Sequence, residues 1–314
     1  MKTSTSVSQA DDPASRKRLP RLTRAAGDTL PGFRLTERDT AIIEAVYAYR
    51  ALTATQIEQL FFSPSTRTQR NLRLKLLYHH GFLLRTEQPQ SLTEGRKPFV
   101  YWLDKKGAEL LAINREIEVS EIDWHPRTHL VGSLFLAHLL ATNDVRIAIS
   151  LAADKQGFVL DAWQDDKTLR KEHVGETVTI KGAQGGLEQV SVVPDGYGEL
   201  DTGDHLYRFF IEVDRRTVTG ASEKSGSHDW ARKIRAYIAY YNSDKIAAKY
   251  GSRGGRVLTV TTGEKRAANL KVITEREGGK GRFWFTTFAQ ATAERILTQP
   301  IWTVAGKEGL YTLV

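Results

Sequence analysis

The feature that most constrains the fold is the run Phe209–Asp214, in which one glutamate stands among bulky apolar side chains. In a β-strand alternate side chains point to opposite faces, which places Phe210, Glu212 and Asp214 on one face. An ionised carboxylate buried without a partner is costly, so Glu212 must be paired, protonated or bound to a cation. The run therefore predicts an interior strand with an acidic group that needs a partner.

A second acidic residue precedes this strand. Asp195 follows the apolar stretch Val192-Val193-Pro194. If the two strands are hairpin neighbours, Asp195, Glu212 and Asp214 converge on a single point. Carboxylate clusters of this kind suit Mg²⁺ or Mn²⁺, which would polarise a phosphodiester and position water. The sequence thus predicts a metal site with Asp195, Glu212 and Asp214 as ligands.

The surrounding sequence alternates between strand and helix patterns. A long apolar helix is predicted over 125–151, and further helices over 230–249 and 264–273. Short apolar runs that read as strands occupy 158–160, 190–193, 206–213, 257–261 and 283–286. Strands that alternate with helices indicate an α/β domain whose sheet is covered on both faces. We expect this domain to extend over 124–304.

The N-terminal third predicts a different kind of unit. Thr36 and Thr53 each begin a helical pattern with an N-cap signature, and a third helix runs over 66–80 to Gly81. Two apolar runs with a turn-rich loop between them, 82–85 and 100–103, then read as a hairpin, and Asp104 caps a fourth helix. This order predicts a winged helix-turn-helix over 34–118, after a flexible basic arm over 1–33.

The charge distribution favours DNA as the ligand of this unit. Residues 1–106 hold 18 basic and 10 acidic side chains, whereas residues 107–314 hold 27 of each, so the net charge of +8 lies in the first third. On the third helix Leu72, Leu76 and Leu77 are predicted to face the core. The candidate DNA contacts are Arg67, Arg70, Asn71 and Lys75 on the other side, with Arg96 and Lys97 in the wing loop. The alternative is a winged helix that binds proteins and whose arginines only increase solubility.

Composition excludes several classes of protein. The sequence has no cysteine, which excludes disulfides, zinc–thiolate sites and thiol nucleophiles. The hydrophobic fraction of 40% is sufficient for packed cores. No stretch approaches about 18 uninterrupted apolar residues, and the N-terminus lacks an apolar signal core. We therefore expect a cytoplasmic protein that does not interact with membranes.

At the acidic residues the sequence resembles the replication-relaxation family of plasmid and mobile-element proteins. The matching pieces are the winged-helix pattern, the His-containing helix, Pro194-Asp195, the run Phe210–Arg215 and the helix from Lys233 to Tyr241. The resemblance covers about 35–290. It implies a winged helix joined to a domain similar to the PD-(D/E)XK endonucleases, and related relaxases use such a domain to nick DNA.

One departure from that motif bears on catalysis. The nuclease motif has a lysine two residues after the glutamate, where it stabilises charge on the reacting phosphate, and this chain has Asp214 there. Some members carry the basic residue on the neighbouring helix. Lys233 is the candidate, because it lies at the edge of the stripe that contains Tyr237. The alternative is that Lys233 only forms a salt bridge with Glu212 or Asp214. His129 is a candidate base, although a structural role is the more common one for such a histidine.

These observations leave two functions open, with a protein-interaction scaffold that never contacts DNA as a third. The first is a DNA-binding protein of plasmid or mobile-element replication that nicks one strand with Mg²⁺ or Mn²⁺, with Lys233, Glu212 and Asp195 as catalytic residues. The second is a non-catalytic replication accessory or transcriptional regulator whose second domain serves for contacts. In both, double-stranded DNA is the expected partner, and replication or mobilisation proteins and a second copy of the chain are further candidates.

Overall fold

The computed structural model describes residues 23–25, 30, 32–89, 95–172, 177–182, 185–215, 223–252 and 254–314, with 223–228 as backbone only. The basic arm predicted over 1–33 therefore lies almost wholly outside the described residues. The described chain forms two compact units. Unit 1 comes from Met1–Arg50 and Ser63–His129, and unit 2 from Ala51–Phe62 and Leu130–Val314. The predicted boundary near 118–124 differs from this division, because the segment 51–62 belongs to unit 2.

Unit 1 contains three α-helices and a β-hairpin. The helices are α1 (Glu37–Ala48), α3 (Arg67–His79) and α4 (Lys105–Arg115), and the strands are β2 (Leu83–Thr86) and β3 (Val100–Leu103). The two strands pair antiparallel, so the predicted hairpin is confirmed. Short 3₁₀ helices cover Pro64–Thr66 and Val119–Glu121. The intervening β1 (Leu52–Thr53) and α2 (Ala54–Phe61) belong to unit 2.

The N-caps predicted from sequence are present. The Thr36 hydroxyl accepts from the backbone N–H of Asp39 at 3.3 Å, and the Asp39 carboxylate accepts from the backbone N–H of Thr36 at 2.8 Å. Asp39 is fully buried, and Arg73 of α3 pairs with it. This contact joins α3 to the first turn of α1.

The buried stripe of α3 differs from the predicted one. Leu72 is 53% exposed, whereas Leu74 is 1% and Arg70 is 5% exposed. Arg70, Leu74 and Leu77 follow one another at i, i+4 and i+7, so they share one side of the helix and that side faces the core. The prediction that Leu72 faces the core and Arg70 faces solvent was wrong.

Unit 2 is built on a mixed six-stranded sheet with the order β11-β10-β9-β8-β7-β4. Strands β4 (Val159–Asp165), β7 (Gly196–Asp201) and β8 (Leu206–Asp214) pair antiparallel. Strands β9 (Arg256–Thr261) and β10 (Phe283–Thr287) continue parallel to β8, and β11 (Thr303–Val304) closes the edge antiparallel. A separate hairpin pairs β5 (Thr177–Lys181) with β6 (Leu187–Ser191).

Helices cover both faces of this sheet, and the predicted α/β class is confirmed. They are α5 (Ser133–Gln156), α6 (Asp166–Glu172), α7 (Glu223–Asn242), α8 (Lys245–Tyr250) and α9 (Glu264–Arg276). Phe210 of β8 packs in one core with Tyr237 of α7, while Phe209 and Ile211 pack in the other with Ile149 of α5. The alternation predicted for β8 is therefore observed, and Glu212 faces α7.

Several boundaries differ from the sequence predictions, and three of them bear on the candidate site residues or the helix that carries them. The helix predicted over 125–151 begins only at Ser133, so His129 lies in a turn before it. The predicted strand at 190–193 ends at Ser191, so Asp195 stands at the start of β7 instead of the end of an apolar strand. The helix predicted over 230–249 is two helices, α7 and α8.

Helix α5 is long and apolar enough by length and composition to cross a membrane. Half of its most apolar window is buried inside the structure. Its buried residues include Ile149 and Ala152, which pack against the sheet. Such burial is typical of the core helix of a globular domain.

Candidate active site

The glutamate of the central strand has two partners from α7. Glu212 lies within β8 and is only 2% exposed. The Tyr237 hydroxyl donates to its Oε1 at 2.6 Å, and the Lys233 ammonium donates to its Oε2. Lys233 and Tyr237 are four residues apart, so one face of α7 presents both groups to the same carboxylate. The amine of Lys233 thus reaches the strand carboxylate, as its helix position predicted.

Asp195 lies beside the same strand and binds a histidine. Its backbone N–H donates to the Ile211 carbonyl at 3.0 Å, and its Oδ2 accepts from the Val213 N–H at 2.8 Å. Its Oδ1 is 2.9 Å from Nε2 of His138, on α5. Asp195 is therefore anchored on both sides of Glu212 along β8, and His138 completes a four-residue cluster with Asp195, Glu212 and Lys233. We call this the carboxylate cluster.

Charges within the carboxylate cluster shift one another's pKa. Burial would raise the pKa of Asp195, but the hydrogen bond from His138 and the charge of Lys233 outweigh it and hold this pKa below its ordinary value. Burial raises the pKa of Glu212. Burial would lower the pKa of Lys233, but the two carboxylates outweigh it and raise the pKa, so the amine stays charged. The hydrogen bond to Asp195 raises the pKa of His138.

Asp214 belongs to a different network. Its carboxylate accepts from Nε and Nη2 of Arg266, on α9, at 2.9 and 3.0 Å, and from the Thr261 hydroxyl at 2.6 Å. Burial would raise the pKa of Asp214, but these hydrogen bonds outweigh it and lower the pKa. Asp214, which stands where the nuclease motif has its lysine, is therefore held in a bidentate ion pair with Arg266.

The carboxylate cluster does not fit Mg²⁺ or Mn²⁺ in this arrangement. Both oxygens of Glu212 and both of Asp195 already accept hydrogen bonds from protein donors, and Asp214 is held by its arginine. Across the part of the chain that the structure describes, no three His, Asp or Glu side chains form a group that could hold a metal ion. A divalent ion would have to displace Lys233 and His138. The metal site of Asp195, Glu212 and Asp214 thus stays a prediction.

The predicted DNA contacts of unit 1 fall into two groups. Arg67, Asn71 and Arg96 are exposed, whereas Lys75 and Lys97 are half-buried. Arg96 pairs loosely with Glu87 at 3.4 Å, and the Lys97 ammonium donates to the Pro89 carbonyl at 3.3 Å.

Arg70, a predicted DNA contact, and Arg24, from the predicted arm, bind other groups of unit 1. Arg70 is buried, and its guanidinium donates to the Asn71 side-chain oxygen at 2.8 Å, so it is placed to orient Asn71. Arg24, from the predicted arm, donates to the Tyr78 carbonyl at 2.9 Å and pairs with Asp104. Both arginines are held by contacts inside unit 1.

The histidine of the site is not the one that the sequence singled out. His129 lies in a turn of unit 1. His138 lies in the second turn of α5 and contacts Asp195. The only signal in the sequence was a polar residue within the apolar stretch Leu136–Leu140, which did not distinguish it from other polar residues of that helix.

The fold and the site define a two-unit protein whose α/β unit carries a carboxylate cluster at its strand β8, with a lysine contributed by helix α7. The chain belongs to the Replication-relaxation family, whose sequence model matches residues 43–254. The resemblance inferred from the sequence is thereby confirmed.

Comparison with solved structures finds restriction endonuclease FokI. The free enzyme matches with a TM-score of 0.29 and 11% identity, over 81% of this chain and 42% of FokI. The DNA-bound enzyme matches with a TM-score of 0.25 and 11% identity, over 83% of this chain and 45% of FokI. The chain spans less than half of the length of these structures. No match was found among curated proteins.

Proposed function

We propose that this protein binds double-stranded DNA during plasmid or mobile-element replication, and that unit 2 acts on the DNA backbone at the carboxylate cluster. The observation that carries the proposal is that Asp195 is held by the backbone of Val213, next to the Glu212–Lys233 pair on β8, in a chain of the Replication-relaxation family. Replication or mobilisation proteins and a second copy of the chain are partners within the same proposal.

Unit 1 supplies the DNA-binding half of the proposal. Helices followed by a hairpin are the elements of a winged helix, in which one helix enters the major groove. On α3, Arg67, Asn71 and Lys75 recur at i, i+4 and i+8, and their positions suit contacts to phosphates and base edges. Arg96, in the loop of the hairpin, is a further exposed basic side chain that can contact a phosphate.

The double variant Arg67→Gln/Lys75→Gln should bind a DNA duplex more weakly at low salt. Each lost phosphate contact removes about one released counterion, so the slope of log affinity against log salt should fall by roughly two. Fluorescence anisotropy at several salt concentrations measures both effects. The matched control is Lys105→Gln/Arg115→Gln, which removes the same charge from α4. An equal loss in the control would show that the effect is only a matter of net charge.

A second step, cleavage, is favoured by the composition of the carboxylate cluster. An aspartate just before β7 and a glutamate on the adjacent antiparallel strand β8, with a lysine from α7 at the glutamate, are the residue types of the PD-(D/E)XK site. In this role Lys233 would place positive charge at the phosphate, and Tyr237 would hold Glu212 in position. Lys233 and His138 bind carboxylate oxygens that Mg²⁺ or Mn²⁺ would need.

Supercoiled plasmid incubated with the protein and Mg²⁺ or Mn²⁺ should convert to open circles. Asp195→Asn should slow this conversion by about 10² or more, the usual cost of losing a group that acts on the transition state. Asp204→Asn, an exposed carboxylate of unit 2, is the control and should nick at the wild-type rate. Absence of open circles, or equal rates for wild type and Asp195→Asn, would leave the non-catalytic accessory or regulator as the function.

A further inference from the structure

A cavity of about 430 Å³ lies in unit 2 beside the carboxylate cluster. Its walls come from α6, from the end of β6 with the segment after it, and from α7. Glu212, Lys233 and Tyr237 line one side. Since Glu212 is only 2% exposed, a ligand in this cavity lies next to a carboxylate that bulk solvent scarcely reaches.

The size of the cavity restricts its ligands. Small-molecule and cofactor sites occupy roughly 300–1,000 Å³, and this cavity lies at the lower end, with room for one nucleotide. The stacked base pairs of a duplex cannot enter a concave site of this size. Proteins that act inside such a site take a single nucleotide out of the stack.

The chemistry of the walls matches the two ends of a nucleotide. Arg170 of α6 and Arg232 of α7 line the cavity, so two guanidinium groups can contact a phosphate, while Lys233 is held by Glu212. The Arg170 side chain is 68% exposed and lies 3.5 Å from Asp166, a pair too weak to compete with a bound phosphate. Arg232 is fixed by a hydrogen bond to Glu188 at 3.0 Å.

The remaining walls suit a base. Val190, Val192 and Val193 form an apolar surface. Asp229 supplies carboxylate oxygens that can accept from the N–H groups of a base edge. The cavity therefore has a cationic side and an apolar side, the combination that the phosphate and the base of a nucleotide require.

We propose that this cavity holds one unpaired nucleotide of a DNA strand, with its phosphate at Arg170 and Arg232 and its base against the valines. The inference rests on the proposed function, because it takes DNA as the ligand. It specifies the form of DNA that unit 2 binds: single-stranded or locally melted DNA enters the cavity, and intact duplex contacts other parts of the protein.

Fluorescence anisotropy with the full chain tests this. Two labelled DNAs are compared, an intact duplex and the same duplex with a short gap of unpaired nucleotides in one strand. Wild type should bind the gapped DNA about fivefold or more tightly, since even one well-held base contributes a factor of that order. Ser191→Trp, which adds bulk at the cavity wall, should abolish the preference, and Arg170→Gln should reduce it.

Each variant has a matched control that leaves the cavity unchanged. Gln189→Trp lies on the same exposed face of β6, and Lys171→Gln removes the same charge from the next residue of α6. Both should retain the wild-type preference. Thermal unfolding checks that all four variants are folded.

The outcomes separate this inference from the proposed function. Tight binding to intact duplex with no preference for the gap, or a preference that survives in Ser191→Trp and Arg170→Gln, overturns the nucleotide site and leaves DNA binding in place. Failure of wild type to bind either DNA overturns both.

Discussion

The variant Lys233→Met should unfold with a free energy about 2 kcal/mol lower than wild type at pH 8, less than the usual cost for a fully buried ion pair because the Lys233 side chain is 39% exposed. Glu212, 2% exposed, keeps its hydrogen bond from Tyr237 but loses its cation. Methionine preserves the length of the side chain, so the loss reports the charge and not the packing. Urea unfolding followed by circular dichroism measures it.

The pH dependence of this loss has a defined sign. Burial already raises the pKa of Glu212, and removal of Lys233 raises it further. Above the pKa of an unfolded glutamate, about 4.3, the folded variant retains a proton that the unfolded chain has released. Stability therefore falls as pH rises toward the folded pKa, so the loss should be smaller at pH 5 than at pH 8.

A second substitution provides the control for Lys233→Met. In Lys233→Met/Glu212→Gln both charges are absent, so the double variant should be more stable than Lys233→Met alone and should lose the pH dependence. If Lys233→Met were as stable as wild type at both pH values, Glu212 would not be a buried charge that depends on Lys233.

Asp39→Asn should destabilise unit 1 by about 2–4 kcal/mol, because it removes a buried ion pair with Arg73 and half of a capping box. The Asp39 side chain is fully buried and accepts from Nε of Arg73 at 3.0 Å and from the Thr36 N–H at 2.8 Å. Thermal unfolding at neutral pH measures the loss. Glu37→Gln, an exposed acid in the same first turn, is the control and should change stability by a few tenths of a kcal/mol.

The acid sensitivity of Asp39→Asn should also change. Burial would raise the pKa of Asp39, but hydrogen bonds from Arg73 and Thr36 outweigh it and lower the pKa. This carboxylate therefore contributes stability above its unfolded pKa of about 3.9, and the contribution is lost as pH falls through the folded value. Wild type should lose more stability than Asp39→Asn on acidification across this range. Parallel curves would exclude Asp39 as the source.

Lys233 could be predicted as the partner of Glu212, because the strand and the helix that carry these residues each have a clear local sequence pattern. A glutamate in an apolar strand requires a cation, and Lys233 is four residues before Tyr237 on a helix with a clear buried stripe. His138 could not be predicted, because only the packing of α5 brings it to Asp195. No periodicity in the sequence encodes that contact.

The phase of α3 was ambiguous for a related reason. Leucines at 72, 74, 76 and 77 surround the helix, so hydrophobicity alone fits more than one buried stripe. In the structure Arg70 lies on the buried side of α3, where its guanidinium donates to Asn71 and its aliphatic part packs with the core residues. The rule that arginine faces solvent gave the wrong phase.

The membership of α2 in unit 2 has a consequence for the order of assembly during synthesis. Its Gln56 donates to the Leu140 carbonyl at 2.9 Å and to Asp144, and Asn143 donates to the Ala51 carbonyl at 2.7 Å. The ribosome releases 51–62 well before α5. The second segment of unit 1, Ser63–His129, lies between them in the sequence, so 51–62 is synthesised before its partners. Unit 2 cannot be completed until translation has passed both segments of unit 1. The two units are thus coupled in time, and neither matures as a simple N-terminal or C-terminal half.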